Sequence, residues 1–136
     1  MKKAVKSTKK FDYRTITSFE LACEKLSIPA TLPDVSMLPE RFRKALIAVY
    51  RLFIIFEAIN DGWVAEMGNS SQTKFYPWLW VLSSGCGFDL SYYFCGHANT
   101  SVGSRLCTYD PEVAKFIGRQ FGVEGQEYKD FFLNVA

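Results

Sequence analysis

Apolar residues recur along this chain first at helical spacing, then at strand spacing, then at helical spacing again. Phe19, Ala22, Cys23 and Leu26 fall on one side of a helix over residues 18–26. Thr17-Ser18-Phe19-Glu20 reads as its capping box, with Thr17 at the N-cap and Glu20 reaching back. Pro29 and Pro33 end that regular structure, and residues 34–37 form a connecting turn. A second helix begins at Pro39, whose missing N–H is harmless in a first turn, and runs to the Asn60-Asp61-Gly62 stop. Its projection places Phe42, Leu46, Val49, Phe53 and Phe56 opposite a thin polar wedge of Glu40, Lys44 and Arg51. That pattern predicts a helix packed on most of its circumference.

Beyond a loop from Trp63 to Thr73 the period falls to two. Phe75, Pro77, Leu79 and Val81 alternate with Tyr76, Trp78, Trp80 and Leu82; Pro77 points to an edge position or strand start. Phe88, Leu90, Tyr92 and Phe94 alternate with Asp89, Ser91, Tyr93 and Cys95. Val102, Ser104 and Leu106 oppose Gly103, Arg105 and Cys107 in a third strand. Asp110-Pro111-Glu112 then starts a helix: the aspartate caps, proline takes the first turn, and glutamate complements the dipole. Gly122 and Gly125 interrupt its apolar stripe, which restarts at Tyr128, leaving one bent helix and two helices as alternatives. The predicted class is α+β. A three-stranded antiparallel sheet over residues 75–109 is packed by the long 39–60 helix and a C-terminal helical segment, with a short N-terminal helix sealing one end.

Composition narrows the function classes. At 136 residues and 49% hydrophobic content the chain supports one domain, residues 11–136, with a sizeable core. Twelve Phe, seven Tyr and three Trp supply large side chains for it. The net charge of +2 is uneven. Five lysines lie within residues 1–10, leaving eleven basic against fourteen acidic side chains in the rest, a net of −3. A disordered basic tail on a mildly acidic body is not the footprint of a dedicated nucleic-acid binder. The greasiest run, Ala45 to Ile59, is fifteen residues long and contains Arg51 and Glu57, short of the roughly twenty apolar residues of a membrane span. The first thirty residues hold no apolar secretory core, and four cysteines without a secreted framework fit reduced thiols, so a cytoplasmic location is expected.

Several segments resemble small uncharacterised proteins carried by phages and prophages of gut anaerobes. They are Leu32-Pro33-Asp34-Val35, Leu38-Pro39-Glu40-Arg41-Phe42-Arg43-Lys44-Ala45, Glu57-Ala58-Ile59-Asn60, Phe75-Tyr76-Pro77-Trp78, Val102-Gly103-Ser104-Arg105-Leu106-Cys107, Gly118-Arg119-Gln120-Phe121 and Tyr128-Lys129-Asp130-Phe131-Phe132. Together they span about Ile16 to Leu133. The resemblance implies a mobile-element origin and life in a host cytoplasm, and it carries no catalytic residues across. In that group the last helix runs straight on after the Gln-Phe pair; here Gly122-Val123-Glu124-Gly125 intervenes.

The chemistry-bearing residues form three candidate constellations. Cys86, Cys95, His97 and Cys107 offer a Cys₃His set that zinc accepts, although there is no Cys-x-x-Cys knuckle and Cys86 and Cys95 are an odd number apart. The plain alternative is four small buried hydrophobes, with no cofactor. A catalytic thiol, Cys95 or Cys107 beside His97, needs an orienting group, for which Asp89 is the obvious residue; Glu57 and Asp61 are an acid–base pair only if they leave solvent. No Walker loop, dinucleotide glycine fingerprint or nucleophile elbow is present. Tyr76, Trp78 and Trp80, with Tyr93 and Arg105, make a stacking platform if one sheet face is open, and core if a helix covers it. Arg105, in an otherwise apolar strand, calls for Glu57, Asp89 or Glu66 as partner. The leading expectation is a non-catalytic accessory protein acting through protein–protein contacts, with homo-oligomerisation open. A single-stranded nucleic-acid binder is the runner-up, and a zinc protein or enzyme trails both.

Overall fold

The structure is a computed structural model that describes residues 10–133, so the predicted basic tail lies, except for Lys10, outside the described residues. The elements are α1 (Phe19–Lys25), α2 (Glu40–Asn60), β1 (Lys74–Val81), β2 (Phe88–Gly96), α3 (Pro111–Gly118) and α4 (Glu127–Phe132), with 3₁₀ turns at Tyr13–Thr15 and Ser104–Leu106. The class is α+β with one antiparallel sheet, but that sheet has two strands rather than three among the described residues. The expected third strand is lost to local chemistry. The Thr100 hydroxyl accepts the N–H groups of Val102 and Gly103 at 3.1 and 2.8 Å. Gly103 adopts φ 78°, and the chain then winds through Ser104–Leu106. Only Thr108 reaches the sheet, exchanging both backbone bonds with Phe75 at 2.9 and 2.7 Å.

The strands pair so that Tyr76 faces Phe94, Trp78 faces Tyr92 and Trp80 faces Leu90. Phe75 bonds outward to Thr108, so the odd positions of β1 direct their N–H groups away from β2. Pro77 shares that parity, and its missing donor costs the ladder nothing. Next to Trp80 the register shifts, because Val81 pairs with Phe88 and Asp89 is the extra residue of a bulge. The predicted row of Phe88, Leu90, Tyr92 and Phe94 is thereby split. Phe88 turns into the core, while the other three stay exposed.

One sheet face is covered by α3, not by α2. The Ser91 hydroxyl donates to the Lys115 carbonyl at 2.8 Å. Gly118 lies so close to the sheet that an added Cβ would sit 3.0 Å from Pro77 Cβ and 3.2 Å from Leu79 Cδ2. The long helix α2 packs instead against α1, α4 and the Ser104–Leu106 turn. Its C-terminal half carries the core residues Leu52, Ile55, Phe56 and Ile59. In its N-terminal half Phe42 and Leu46 are exposed, so the expectation of cover around most of the circumference fails there.

After α3 the backbone widens through Arg119–Val123, where the Glu124 N–H bonds the Arg119 carbonyl at 2.9 Å, and α4 starts afresh. The C-terminal segment is therefore two helices. It delivers Tyr128 to the core, where burial pushes the phenol far above the ordinary tyrosine range. The folded state holds this proton where the unfolded state releases it, so stability is full below about pH 10 and falls above it. Unfolding free energy is expected to drop by about 1.4 kcal/mol per pH unit above that point, read from urea melts at stepped alkaline pH, with Tyr128→Phe flattening the slope.

The helix starts were partly legible. Asp110 caps α3 through the Glu112 N–H at 2.8 Å, with Pro111 in the first turn, as the pattern predicts. For α1 the cap is Ser18 rather than Thr17: its Oγ accepts the Leu21 N–H at 3.1 Å. Ser18→Ala is expected to lower stability by about 1 kcal/mol, while Thr17→Ala at the exposed neighbour stays within about 0.5 kcal/mol. Paired denaturant melts separate the two.

Candidate functional site

On the face of the β1–β2 hairpin opposite α3, Lys74 and Tyr76 are buried at one end, and the rest has no cover among the described residues. Trp78 is 43%, Trp80 54%, Leu90 53%, Tyr92 49% and Phe94 53% exposed. Such exposure is normal for scattered apolar residues; here five lie on two paired strands. They form one surface, with Trp78 and Phe94 rings 5.2 Å apart and tilted by 37°, and Phe94 against Tyr76 at 5.8 Å. The four exposed aromatics amount to about two fully exposed side chains, which with Leu90 gives roughly 400–600 Å² of aromatic and aliphatic surface. That is the size of the largest patch on an ordinary monomer, and such patches are commonly functional.

The borders of this face are built differently. At one end Lys74 is buried, and its ammonium donates to the Asn69 and His97 carbonyls at 2.7 and 2.6 Å. Beside β1 an apolar groove of about 330 Å³ is lined by Trp78, Val81, Phe88, Val102 and Phe132. Tyr92 reaches round the outer edge of β2, stacking on Tyr93 at 4.8 Å and lying 5.6 Å from the Lys115 ammonium. Glu112, 2.7 Å from that ammonium, raises its pKa above the ordinary lysine value and answers its charge.

Of the five predicted platform residues the structure brings two to the open face, Trp78 and Trp80. Tyr76 shares the face but is buried beneath its neighbours, and Tyr93 is half-buried on the opposite side. Arg105 is elsewhere, exposed in the turn beside α2, with its guanidinium 5.9 Å from the Phe53 ring. It shares a cavity of about 490 Å³ with Glu57, yet forms no ion pair with Glu57, Glu66 or Asp89. Leu90, Tyr92 and Phe94 were missed as site residues. Their alternation was visible, and pairing them against Trp80, Trp78 and Tyr76 would have assembled the surface.

The zinc and thiol constellations do not assemble. Cys86 sits in the hairpin turn and Cys95 near the far end of β2, more than about 20 Å away at 3.3 Å per strand residue. Cys107 is buried, its thiol donating to the Gly103 carbonyl at 3.2 Å, and burial raises its pKa. Among the described residues no group of three His, Cys, Asp or Glu side chains converges as a metal site. Asp89, at the bulge, is a strand's length from His97, whose Nδ1 lies 3.5 Å from the Thr73 hydroxyl. Asp61, the other half of the carboxylate pair, is bonded to Lys25 at 2.6 Å. No helix among the described residues is long and apolar enough to cross a membrane.

Compared with known protein families, curated proteins and solved structures, the chain matches none.

Proposed function

We propose that this chain is a non-catalytic interaction protein of phage or prophage origin that acts through protein–protein contacts made by its open sheet face. The observation that carries the reading is the uncovered set Trp78, Trp80, Leu90, Tyr92 and Phe94. Large aromatics anchor protein interfaces because they bury much area at little rotamer cost. The face holds no exposed ionised side chain, and Lys115, 5.6 Å from the Tyr92 ring, is answered by Glu112. A photoreactive amino acid at position 80 is expected to form covalent protein adducts in cells, which Leu90→Lys abolishes. The same probe at Glu24, on α1, is expected to form none. Equal yields at the two positions, or none at either, would remove the reading.

The exposure of Trp78 and Trp80 also favours the second reading, single-stranded nucleic acid stacked on the hairpin. That reading requires the lysine-rich residues 1–10 to supply the charge the face lacks. Oligonucleotide quenching of tryptophan emission should then weaken steeply with salt and on deletion of residues 1–10. Binding indifferent to both removes it.

A further inference from the structure

The geometry points to a second copy of this chain as the partner: two molecules pack their open sheet faces together about a twofold axis, closing a four-stranded sandwich over the aromatic rows. This inference rests on the docking reading above and names its occupant.

Charge is the first reason. The face positions 74, 76, 78 and 80 of β1 and 90, 92, 94 and 96 of β2 include one ionisable cation, Lys74, and its ammonium is drawn inward to the Asn69 and His97 carbonyls. A partner must be equally free of charge where it touches, since a desolvated ion placed there would find no counter-ion. The face's own copy meets that requirement.

Area is the second. With Tyr92 left out at the margin, two such faces bury roughly 600–1,000 Å² from Trp78, Trp80, Phe94 and Leu90. Val81 and Phe132, both exposed and lining the groove beside Trp78, bring the total towards about 1,200 Å², the low end for stable pairs.

Access is the third. An extended peptide would add to a strand edge, and each edge is obstructed over part of its length. Thr108 pairs with Phe75 and Pro77 offers no donor on the β1 side. The Tyr92 ring wraps the β2 side. Approach is left to the flat face, where stacked sheets pack about 10 Å apart.

Shape agrees. Trp78 stands beside the groove shared by Val81, Val102 and Phe132. A ridge and a hollow then sit on one surface, as an isologous contact needs.

Sedimentation equilibrium across roughly 1–100 µM, where a contact of this size can be read, is expected to give twice the chain mass. Trp80→Glu and Leu90→Lys are expected to raise the dimer Kd about 30-fold or more, with unchanged circular dichroism because both side chains are exposed. Phe42→Lys on α2 leaves the dimer intact. In a Trp63→Phe background Trp78 and Trp80 are the only reporters, and their emission shifts to the red on dilution. A single-chain mass at the highest concentration overturns the proposal, and position-specific cross-links to a different protein would then still sustain the docking reading. A dimer untouched by Trp80→Glu and Leu90→Lys but broken by Phe42→Lys also overturns it, placing the contact on α2.

Discussion

Gly118→Leu is expected to lower the unfolding free energy by about 3 kcal/mol or more, while Gly118→Ala loses about 1–2 kcal/mol. The close approach of α3 to the sheet is the cause. A Cβ at this position collides with the Ser91 hydroxyl and presses on Pro77 and Leu79 at 3.0 and 3.2 Å. Helix propensity works the other way, favouring alanine over glycine by up to about 1 kcal/mol, so packing must win for the loss to be seen. To relieve the clash α3 has to lift off, breaking the 2.8 Å bond from Ser91 to the Lys115 carbonyl. Urea melts of the glycine, alanine and leucine forms check the order. An alanine form more stable than the parent would mean that α3 does not sit on the hairpin as described.

Lys74→Ala is expected to lose about 4 kcal/mol, and Lys74→Met about half of that. The side chain is fully buried, and among the described residues it has no carboxylate partner; two carbonyl oxygens take its place. Two opposing terms decide the size. Removing an ammonium from the interior recovers desolvation energy, but it leaves the Asn69 and His97 carbonyls short of a donor at about 1–3 kcal/mol each. Methionine refills the volume of the stem, so the difference between the variants isolates packing from the two bonds. Hydrogen exchange adds a local readout. Amides of residues 66–73 and 97–100 are expected to lose protection first, because the ammonium staples those two loops together. Unchanged protection in both loops would show that the bonds do not hold them.

The elements that local chemistry dominates were legible in the sequence. The long period of α2, its Asn60-Asp61-Gly62 stop, and Asp110 with Pro111 at the start of α3 all stand where the pattern puts them. The failures share a cause: period-two patterns are short, and one residue reverses them. Asp89 is such a residue, because its bulge sends Phe88 inward and leaves Leu90 outward. The Val102–Cys107 alternation was overruled by a threonine hydroxyl that captured two backbone donors. Which hairpin face stays open could not follow from the hairpin itself, because β1 is apolar on both faces. The deciding signal lay in a distant element. Gly118 and Gly122, four residues apart, mark the smooth side on which α3 and the turn after it meet Ser91 and Leu79. The expected role of α2 as the cover failed for the same reason, since its bulky stripe fits helices better than a closely approached sheet.

A greasy hairpin left bare is a familiar seed of runaway polymerisation, because each added strand recreates the template for the next. Here Thr108 occupies the Phe75 end of one flank and Pro77 withholds a donor there, while the tyrosine that curls over the margin obstructs the other. In the proposed pair, contact through the broad side would consume the sticky surface in a single step and leave nothing to extend. A pair closed in that way would carry its adhesive panel at high concentration without fibre formation.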